Sequence, residues 1–290
     1  MQVTEHVHTI KIPFKLMTSA GTTMDRFVYA YLIYGKRICL IDCGVSSSHT
    51  MIFDYLKQTG RNPEEIFMLV LTHSHPDHIG GADGIVKRIG CQVAAHVEAK
   101  RWIEDTECQL RERPILNFHS LVENSVKVNL GLREEDSLDL GNGQILKVVH
   151  TPGHSKGSIS LLFPEDGALF SGDAIPRWGG LPIYEDVLKS IKSIKKLRGI
   201  PGLKVLFASW DEPQFGDHIY TLMDQGLKYI QHIHELVCRE KANRSSPDLT
   251  ELGKQVLKTL GLPETALSPI VLNSIKAHLK VSDRKDLLTE

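Results

Sequence analysis

The stretch from Ile66 to Gly81, IFMLVLTHSHPDHIGG, decides the fold prediction for this chain. Its first part, Ile66 to Leu71, is a continuous apolar run of six residues, which is typical of a strand buried on both faces. Four side chains that are able to bind a metal ion follow at once: His73, His75, Asp77 and His78. Because alternate side chains of an extended segment point to the same side, we expect His73, His75 and Asp77 to converge.

Pro76 disfavours a helix at His75 and keeps the chain extended through the first two histidines. A helix that begins at Asp77 would then bring His78 alongside it. Imidazole and carboxylate groups suit zinc, iron or manganese better than calcium or magnesium. Four such groups are too many for one tetrahedral ion with an open position. The run therefore predicts two adjacent ions, a geometry that generates a hydroxide and clamps a substrate oxygen.

The rest of the chain predicts a mixed α/β domain followed by helices. Short apolar runs predict strands at Val7–Phe14, Phe27–Tyr34, Arg37–Asp42, Cys91–Ala95, Ile145–Val149, Ser158–Phe163, Ala168–Phe170 and Val205–Ala208. Helical spacing covers Met51 to Leu56, Ile79 to Ile89 and Tyr184 to Leu197, whereas residues 100 to 136 give only a weak pattern. From His218 onward the pattern is helical only, with a candidate linker at residues 243–247 and Ser246 or Asp248 as a candidate cap. We therefore predict a catalytic domain over residues 1–217 and a C-terminal helical extension over 218–290 packed on it.

Composition and net charge argue against several classes of protein. The chain has 290 residues and a formal net charge of −1, so a polyanion-binding surface is not expected and nucleic acid is excluded as a predicted partner. No apolar stretch approaches the roughly 20 residues of a membrane span, and no secretory signal is visible, so we expect a cytoplasmic protein. The five cysteines include no Cys-x-x-Cys pair, which argues against a disulfide framework or a thiolate zinc site.

Four motifs follow one another along the chain: LIDCG at residues 40–44, HSHPDH at 73–78, TPGHS at 151–155 and FSGD at 170–173. They resemble, in the expected order, those of the metallo-β-lactamase fold superfamily, in its glyoxalase II-like or lactonase-like branch. The resemblance covers roughly residues 5 to 215. It implies an αββα four-layer sandwich, two mixed sheets face to face with helices outside, with the metal ions at one edge.

The resemblance also implies a set of metal ligands. By position, His73, His75 and His154 would hold the first ion, Asp77 and His78 the second, and Asp173 would bridge the two. His154 lies in a turn flanked by glycine and serine and Asp173 ends a predicted strand, so both are at loop edges, where ligands are usually placed.

The chain departs from the family after its last core strand, where many members place a final histidine ligand for the second ion. Here Trp210 stands at that position, and an indole cannot be a ligand. Three alternatives remain open at this point. Asp211 is a candidate oxygen ligand, His218 is a candidate if it reaches back, and a weak or empty second position is the third.

These observations predict a metal-dependent hydrolase with zinc or iron as cofactor, manganese being a further option, and one or two ions. A metal-bound hydroxide would attack a thioester, a lactone or a small ester, with Asp77 positioning it or transferring its proton. The alternatives are a mononuclear iron dioxygenase of sulfur substrates and a non-catalytic ligand sensor. The expected partner is a small-molecule substrate, without nucleic acid or membrane, and a homodimer is an option.

Overall fold

The computed structural model describes residues 1–17, 21–243 and 248–289, and its strands form two six-stranded sheets. Sheet 1 contains, side by side in chain order, β1 (Val7–Met17), β2 (Thr23–Tyr34), β3 (Ile38–Ile41), β4 (Ile66–Leu71), β5 (Gln92–His96) and β6 (Leu130–Leu132). Sheet 2 contains, also in chain order, β7 (Ser137–Gly141), β8 (Gln144–His150), β9 (Ile159–Phe163), β10 (Ala168–Gly172), β11 (Val205–Ala208) and β12 (Gln214–Phe215). Both sheets are mixed: β3 to β6 pair in parallel, as do β10 and β11, and the other neighbours are antiparallel.

The helices lie on the outer faces of the two sheets. Those that precede sheet 2 in the chain are α1 (Ser48–Gln58), α2 (Pro76–Ile79), α3 (Ala82–Ile89), α4 (Lys100–Glu104), α5 (Thr106–Glu112) and α6 (Phe118–Leu121). The later ones are α7 (Val187–Arg198), α8 (His218–Ala242), α9 (Leu249–Thr259) and α10 (Pro269–Leu279). The first group shares a core with sheet 1, and α7, α8 and α10 share another with sheet 2. The predicted αββα sandwich with C-terminal helices is therefore confirmed.

Strand β4 is buried on both faces, as its continuous apolar run predicted. Leu69 and Leu71 pack into the core beneath the helices, whereas Met68 and Val70 face the core between the two sheets. Alternate residues of a strand point to opposite faces, so a strand inside a four-layer fold needs apolar side chains at every position. This packing fixes the end of β4, and therefore the start of the histidine run.

The helix predicted from Ile79 to Ile89 is present but begins at Ala82, because two glycines separate it from a short helix before it. Helix α2 begins at Pro76 and ends at Ile79, and α3 starts only at Ala82. A Cβ atom on Gly80 would lie 2.0 Å from the carbonyl oxygen of Leu121. The close approach of these backbones requires glycine and directs the chain away from α2.

Helix α8 begins at His218, where the sequence pattern changes to helices. Its residues Ile219 and Met223 pack with Leu206 of β11, so α8 belongs to the core that covers sheet 2. Because this core is shared, the proposed division into residues 1–217 and 218–290 stays a prediction. Residues 244–247 of the predicted linker lie outside the described residues, and Asp248 is the N-cap residue of α9. Among the described residues, no helix is both long and apolar enough to cross a membrane.

Candidate metal centre

Three imidazoles meet where β4 ends and the loop after β8 crosses it. His73, His75 and His154 each offer one nitrogen, and these nitrogens all lie within 4.8 Å of one another. Nε2 of His154 is 2.8 Å from Nδ1 of His75, and the three residues are buried. The buried Nε2 of His73 has no hydrogen-bond partner among the described residues. A buried polar atom without a partner is costly, and a metal ion would satisfy it.

The opposite nitrogen of two of these rings is held by a specific partner. Nδ1 of His154 donates to the carbonyl oxygen of Ile183 at 2.7 Å, so this nitrogen carries the proton and Nε2 keeps its lone pair. Nδ1 of His73 lies 3.1 Å from the hydroxyl oxygen of Thr72. Histidines that bind metals are usually oriented in this way through their second nitrogen. The rings are therefore positioned to present lone pairs to one point.

A second group of potential ligands adjoins the first. It consists of His73, His78 and Asp173, whose ligand atoms also lie within 4.8 Å of one another. Nε2 of His78 is 3.4 Å from Asp77 Oδ2 and 3.5 Å from Asp173 Oδ1. The other oxygen of Asp173, Oδ2, is 3.4 Å from Nε2 of His154. Asp173 therefore lies between the two groups, as a bridging carboxylate would.

Asp42, to which the sequence analysis gave no role, orients this second group. It lies at the end of β3 and is 1% exposed. Its carboxylate accepts from the backbone N–H and hydroxyl of Thr72 at 2.8 and 2.7 Å, and from Nδ1 of His78 at 2.8 Å. These bonds leave Nε2 of His78 directed at Asp77 and Asp173. The feature of the sequence that could have identified Asp42 as a site residue is its position at the end of a buried strand.

Burial and charge set the protonation of the centre. Burial lowers the pKa of His73, His75 and His154, so these imidazoles are neutral at pH 7. Burial acts to lower the pKa of His78, but the carboxylates of Asp77, Asp173 and Asp42 outweigh it and raise that pKa well above its usual value. Burial likewise acts to raise the pKa of Asp173, but the positive charge of His78 outweighs it and holds that pKa well below its usual range. Neutral imidazoles beside an ionised carboxylate are the forms that bind a metal ion.

Arg113 adds a positive charge to the cleft, which the sequence analysis missed. Its charge lowers the pKa of His73, His75 and His154 after the larger effect of burial. Burial lowers the pKa of Arg113 itself to about 10, opposed by the carboxylates of Asp77, Glu185 and Asp173. Gln109, one turn before Arg113, donates to the carbonyl oxygen of Ser74 at 2.6 Å and so fixes α5 against the histidine run. Residues 100 to 136 gave no pattern that predicted this contact.

Trp210 does lie at the centre, as its position in the sequence suggested. Its indole Nε1 donates to both carboxylate oxygens of Asp173, at 3.2 and 3.1 Å. Asp211 instead pairs with Arg177. His218 is exposed in the first turn of α8. Neither Asp211 nor His218 belongs to the two groups of potential ligands among the described residues, so the proposed role of Asp211 as a ligand stays a prediction without support.

The side chain of Tyr184 is directed away from the centre. Its side chain is 4% exposed, and its hydroxyl lies 2.5 Å from Nε2 of His278 in α10. Because this hydroxyl is engaged among the C-terminal helices, it is not placed to stabilise charge on a substrate.

The chain resembles known proteins in sequence. Residues 23–210 match the family model described as the metallo-beta-lactamase superfamily. A beta-lactamase-like protein 2 homolog of Drosophila melanogaster is 32% identical over 279 residues, which are 94% of this chain and 85% of that protein. An acyl-coenzyme A thioesterase of Gallus gallus is 33% identical over 160 residues, 50% of this chain and 56% of that one. The aligned segments span 44% to 67% of the length of the first four curated relatives.

Solved structures share the fold. A metallo-beta-lactamase family protein of Thermus thermophilus superposes with a TM-score of 0.72 and 20% identity over 95% of this chain and 92% of that one. Other structures of similar fold are described as a di-iron-bound form and a mono-zinc form, with TM-scores of 0.53 and 0.57 and identities of 23% and 16%. They cover 70% and 79% of this chain and 93% and 95% of their own.

Proposed function

This chain belongs to the metallo-beta-lactamase superfamily, and from that premise we propose that it is a hydrolase that cleaves thioesters with the help of bound metal. The observation that carries the proposal is the buried convergence of the nitrogens of His73, His75 and His154 beside the ionised carboxylate of Asp173. The chicken relative named as an acyl-coenzyme A thioesterase supports the thioester among the three substrate classes that the sequence left open.

The donor set fits zinc, iron or manganese. We assign His73, His75 and His154 to a first ion, Asp77 and His78 to a second, and Asp173 to both. The buried Nε2 of His73 has no hydrogen-bond partner among the described residues and supports this assignment, because a metal ion would satisfy it. Imidazole and carboxylate ligands of this kind are usual for zinc and for iron, so the donors alone do not choose between them.

The residues of the cleft have distinct roles in the proposed reaction. A bound divalent ion supplies a water of lowered pKa and a polarised carbonyl oxygen. The net reaction of hydrolysis adds the oxygen of a water molecule to the acyl carbon and breaks the carbon–sulfur bond. Asp77, whose side chain is 17% exposed, borders the cleft beside His78, takes a proton from the water and returns it to the leaving thiolate. Arg113 orients the substrate by pairing with an anionic group on it.

We expect the zinc-loaded protein to hydrolyse an acyl-coenzyme A faster than a lactone or a phenyl ester of the same acyl group. Thiol release reports the first reaction, and acid release the other two. Removal of metal with a chelator should stop all three, and added zinc should restore them, because the attacking water depends on the ion. Preference for the lactone or the ester would overturn the substrate class and leave metal-dependent hydrolysis intact. Absence of turnover by the loaded protein with every substrate would overturn the proposal.

Arg113→Ala is expected to raise KM for an anionic thioester by about tenfold or more, with a smaller change in kcat. The loss of one hydrogen bond to a charged group removes about 1.5–3 kcal/mol of binding energy, and 1.4 kcal/mol is a factor of ten. Steady-state kinetics with coenzyme A thioesters and with an uncharged thioester would measure this effect.

Arg111→Ala is the matched control for this prediction. Arg111 is two residues earlier, exposed, and 3.8 Å from the carboxylate of Asp105. We expect its replacement to leave KM unchanged. An equal rise in KM for the uncharged thioester in the Arg113 variant would contradict recognition of an anion.

A second candidate function is oxidation of a sulfur substrate at a single iron. The observation that favours it is the N–H of Trp210, which donates to Asp173 at the position where many relatives supply a ligand to a second ion. A set of two histidines and a carboxylate leaves open positions for dioxygen. Elemental analysis combined with oxygen uptake separates the two candidates: one iron per chain with oxygen uptake in the presence of thiols or persulfides would favour oxidation, and thioester turnover without oxygen uptake would favour hydrolysis.

A further inference from the structure

One peptide group connects the C-terminal helix α10 to the candidate metal centre. This is the peptide between Ile183 and Tyr184. At one end its carbonyl oxygen accepts the Nδ1 proton of His154 at 2.7 Å. At the other end its N–H donates to Oγ of Ser274, in the middle of α10, at 2.9 Å. The hydroxyl of Ser274 in turn donates to the carbonyl oxygen of Tyr184 at 3.0 Å.

The segment that carries this peptide has no regular structure of its own. Residues 173–186 belong to no helix or strand, so no ladder of backbone hydrogen bonds fixes their peptides. The segment is attached to the loop of His154, because the N–H groups of Glu185 and Asp186 both donate to the carbonyl oxygen of Gly153. Gly153 has a φ of +139° and lies against Ser190, so this turn tolerates no larger residue. These hydrogen bonds join the two loops to each other.

Helix α10 is the fixed element in this arrangement. Ser274 and His278 are fully buried, and the side chain of Tyr184 reaches between the helices to His278. Ile275, the neighbour of Ser274, packs in the core that α8, α9 and α10 share. The hydroxyl of Ser274 forms hydrogen bonds with both the backbone N–H and the backbone carbonyl oxygen of Tyr184. Helix α10 therefore holds the segment through two hydrogen bonds.

We propose that α10 is part of the support of the metal centre, with Ser274 as the positioning residue for His154. By holding the Ile183–Tyr184 peptide, Ser274 keeps the carbonyl of Ile183 in place to accept from Nδ1 of His154. That bond fixes the tautomer and the direction of the ring, so that Nε2 presents its lone pair beside Nδ1 of His75. This inference rests on the proposed function only in taking His154 as a metal ligand.

A helix that merely completes the fold would behave differently from a helix that positions a ligand. Loss of packing would lower the stability of the whole protein whichever residue of α10 is changed. Loss of positioning would weaken metal binding only when the Ile183–Tyr184 peptide is released. Ser268, at the N-cap of α10, offers the comparison, because its side chain accepts from the N–H of Val271 and does not contact that peptide.

The test measures the affinity of the intact protein for its first equivalent of zinc, by competition with a chromophoric chelator. We expect Ser274→Ala to weaken zinc binding by about tenfold, the lower end of the effect of outer-shell partners on metal sites. Ser268→Ala is expected to lower the melting temperature of the metal-free protein without changing zinc affinity. The absorption spectrum of the cobalt-loaded protein should change with Ser274→Ala and not with Ser268→Ala. If Ser274→Ala does not fold, Ser274→Cys keeps the volume with a weaker hydrogen-bonding group and is expected to lose several-fold in affinity.

Unchanged zinc affinity in the Ser274 variants would overturn the inference, and so would an equal loss in Ser268→Ala. His154→Ala separates this failure from others: if it binds zinc as tightly as the parent protein, His154 is not a ligand and the inference falls with that assignment. A parent protein that binds zinc but hydrolyses no thioester would refute the proposed substrate and leave the role of Ser274 intact.

Discussion

Replacing His75 by alanine is expected to abolish both metal retention and hydrolysis. Nδ1 of His75 faces Nε2 of His154 at 2.8 Å in a buried site, and alanine leaves that position without a ligand. Loss of an outer-shell partner already weakens metal binding by about 10- to 100-fold, and loss of a ligand should exceed the upper value. Equilibrium dialysis followed by elemental analysis measures the first effect, and thioester turnover measures the second.

His119→Ala is the control for this experiment. His119 is an exposed histidine of α6 whose Nδ1 lies 3.7 Å from the carboxylate of Glu107. Its replacement removes an imidazole without touching the centre and should leave both metal content and turnover as they are. Full turnover in His75→Ala would contradict the proposed hydrolase, and retained metal with lost turnover would show that His75 acts on the substrate rather than on the ion.

The sequence predicted those features of the centre that depend on residues close together in the chain. The apolar run of β4 and the alternation of His73 and His75 after it predicted a strand and two neighbouring side chains, and the structure shows both. The fold layers were predicted through four motifs in order, and they are confirmed. His154 and Asp173 were placed near the histidine run by resemblance alone, since no spacing rule brings together residues as far apart as His75 and His154, which are separated by 79 positions.

The parts that the sequence did not predict depend on contacts between distant segments. Asp42 reaches His78 from a neighbouring parallel strand, and Ser274 reaches the peptide of Tyr184 across 90 residues of chain. Arg113 follows a short helix in a polar region without apolar periodicity, so no local pattern distinguishes it from the exposed arginines around it. The two glycines that end α2 depend on the backbone they approach, which a single sequence does not reveal.

Trp210, which stands where many family members have their final histidine ligand, is expected to weaken binding at the second ion position. Its indole N–H points at Asp173, the carboxylate that we assign to both ions, from 3.1 and 3.2 Å. This donor neutralises part of the carboxylate charge and has no lone pair to offer, so the second position lacks one ligand and has a weakened bridge. We therefore expect the parent protein to bind its second equivalent of zinc much more weakly than its first.

Trp210→His is expected to strengthen binding of the second zinc ion by on the order of 100-fold, because a direct ligand should contribute at least as much as an outer-shell partner. Titration with zinc and elemental analysis of the loaded variant measure the change. Trp210→Phe is the matched control, since it removes the N–H and adds no ligand. If the phenylalanine variant gains as much affinity as the histidine variant, the indole acts only by restraining Asp173. If neither gains, Trp210 does not occupy the place of a ligand, and the second position must be completed by another residue or by the substrate.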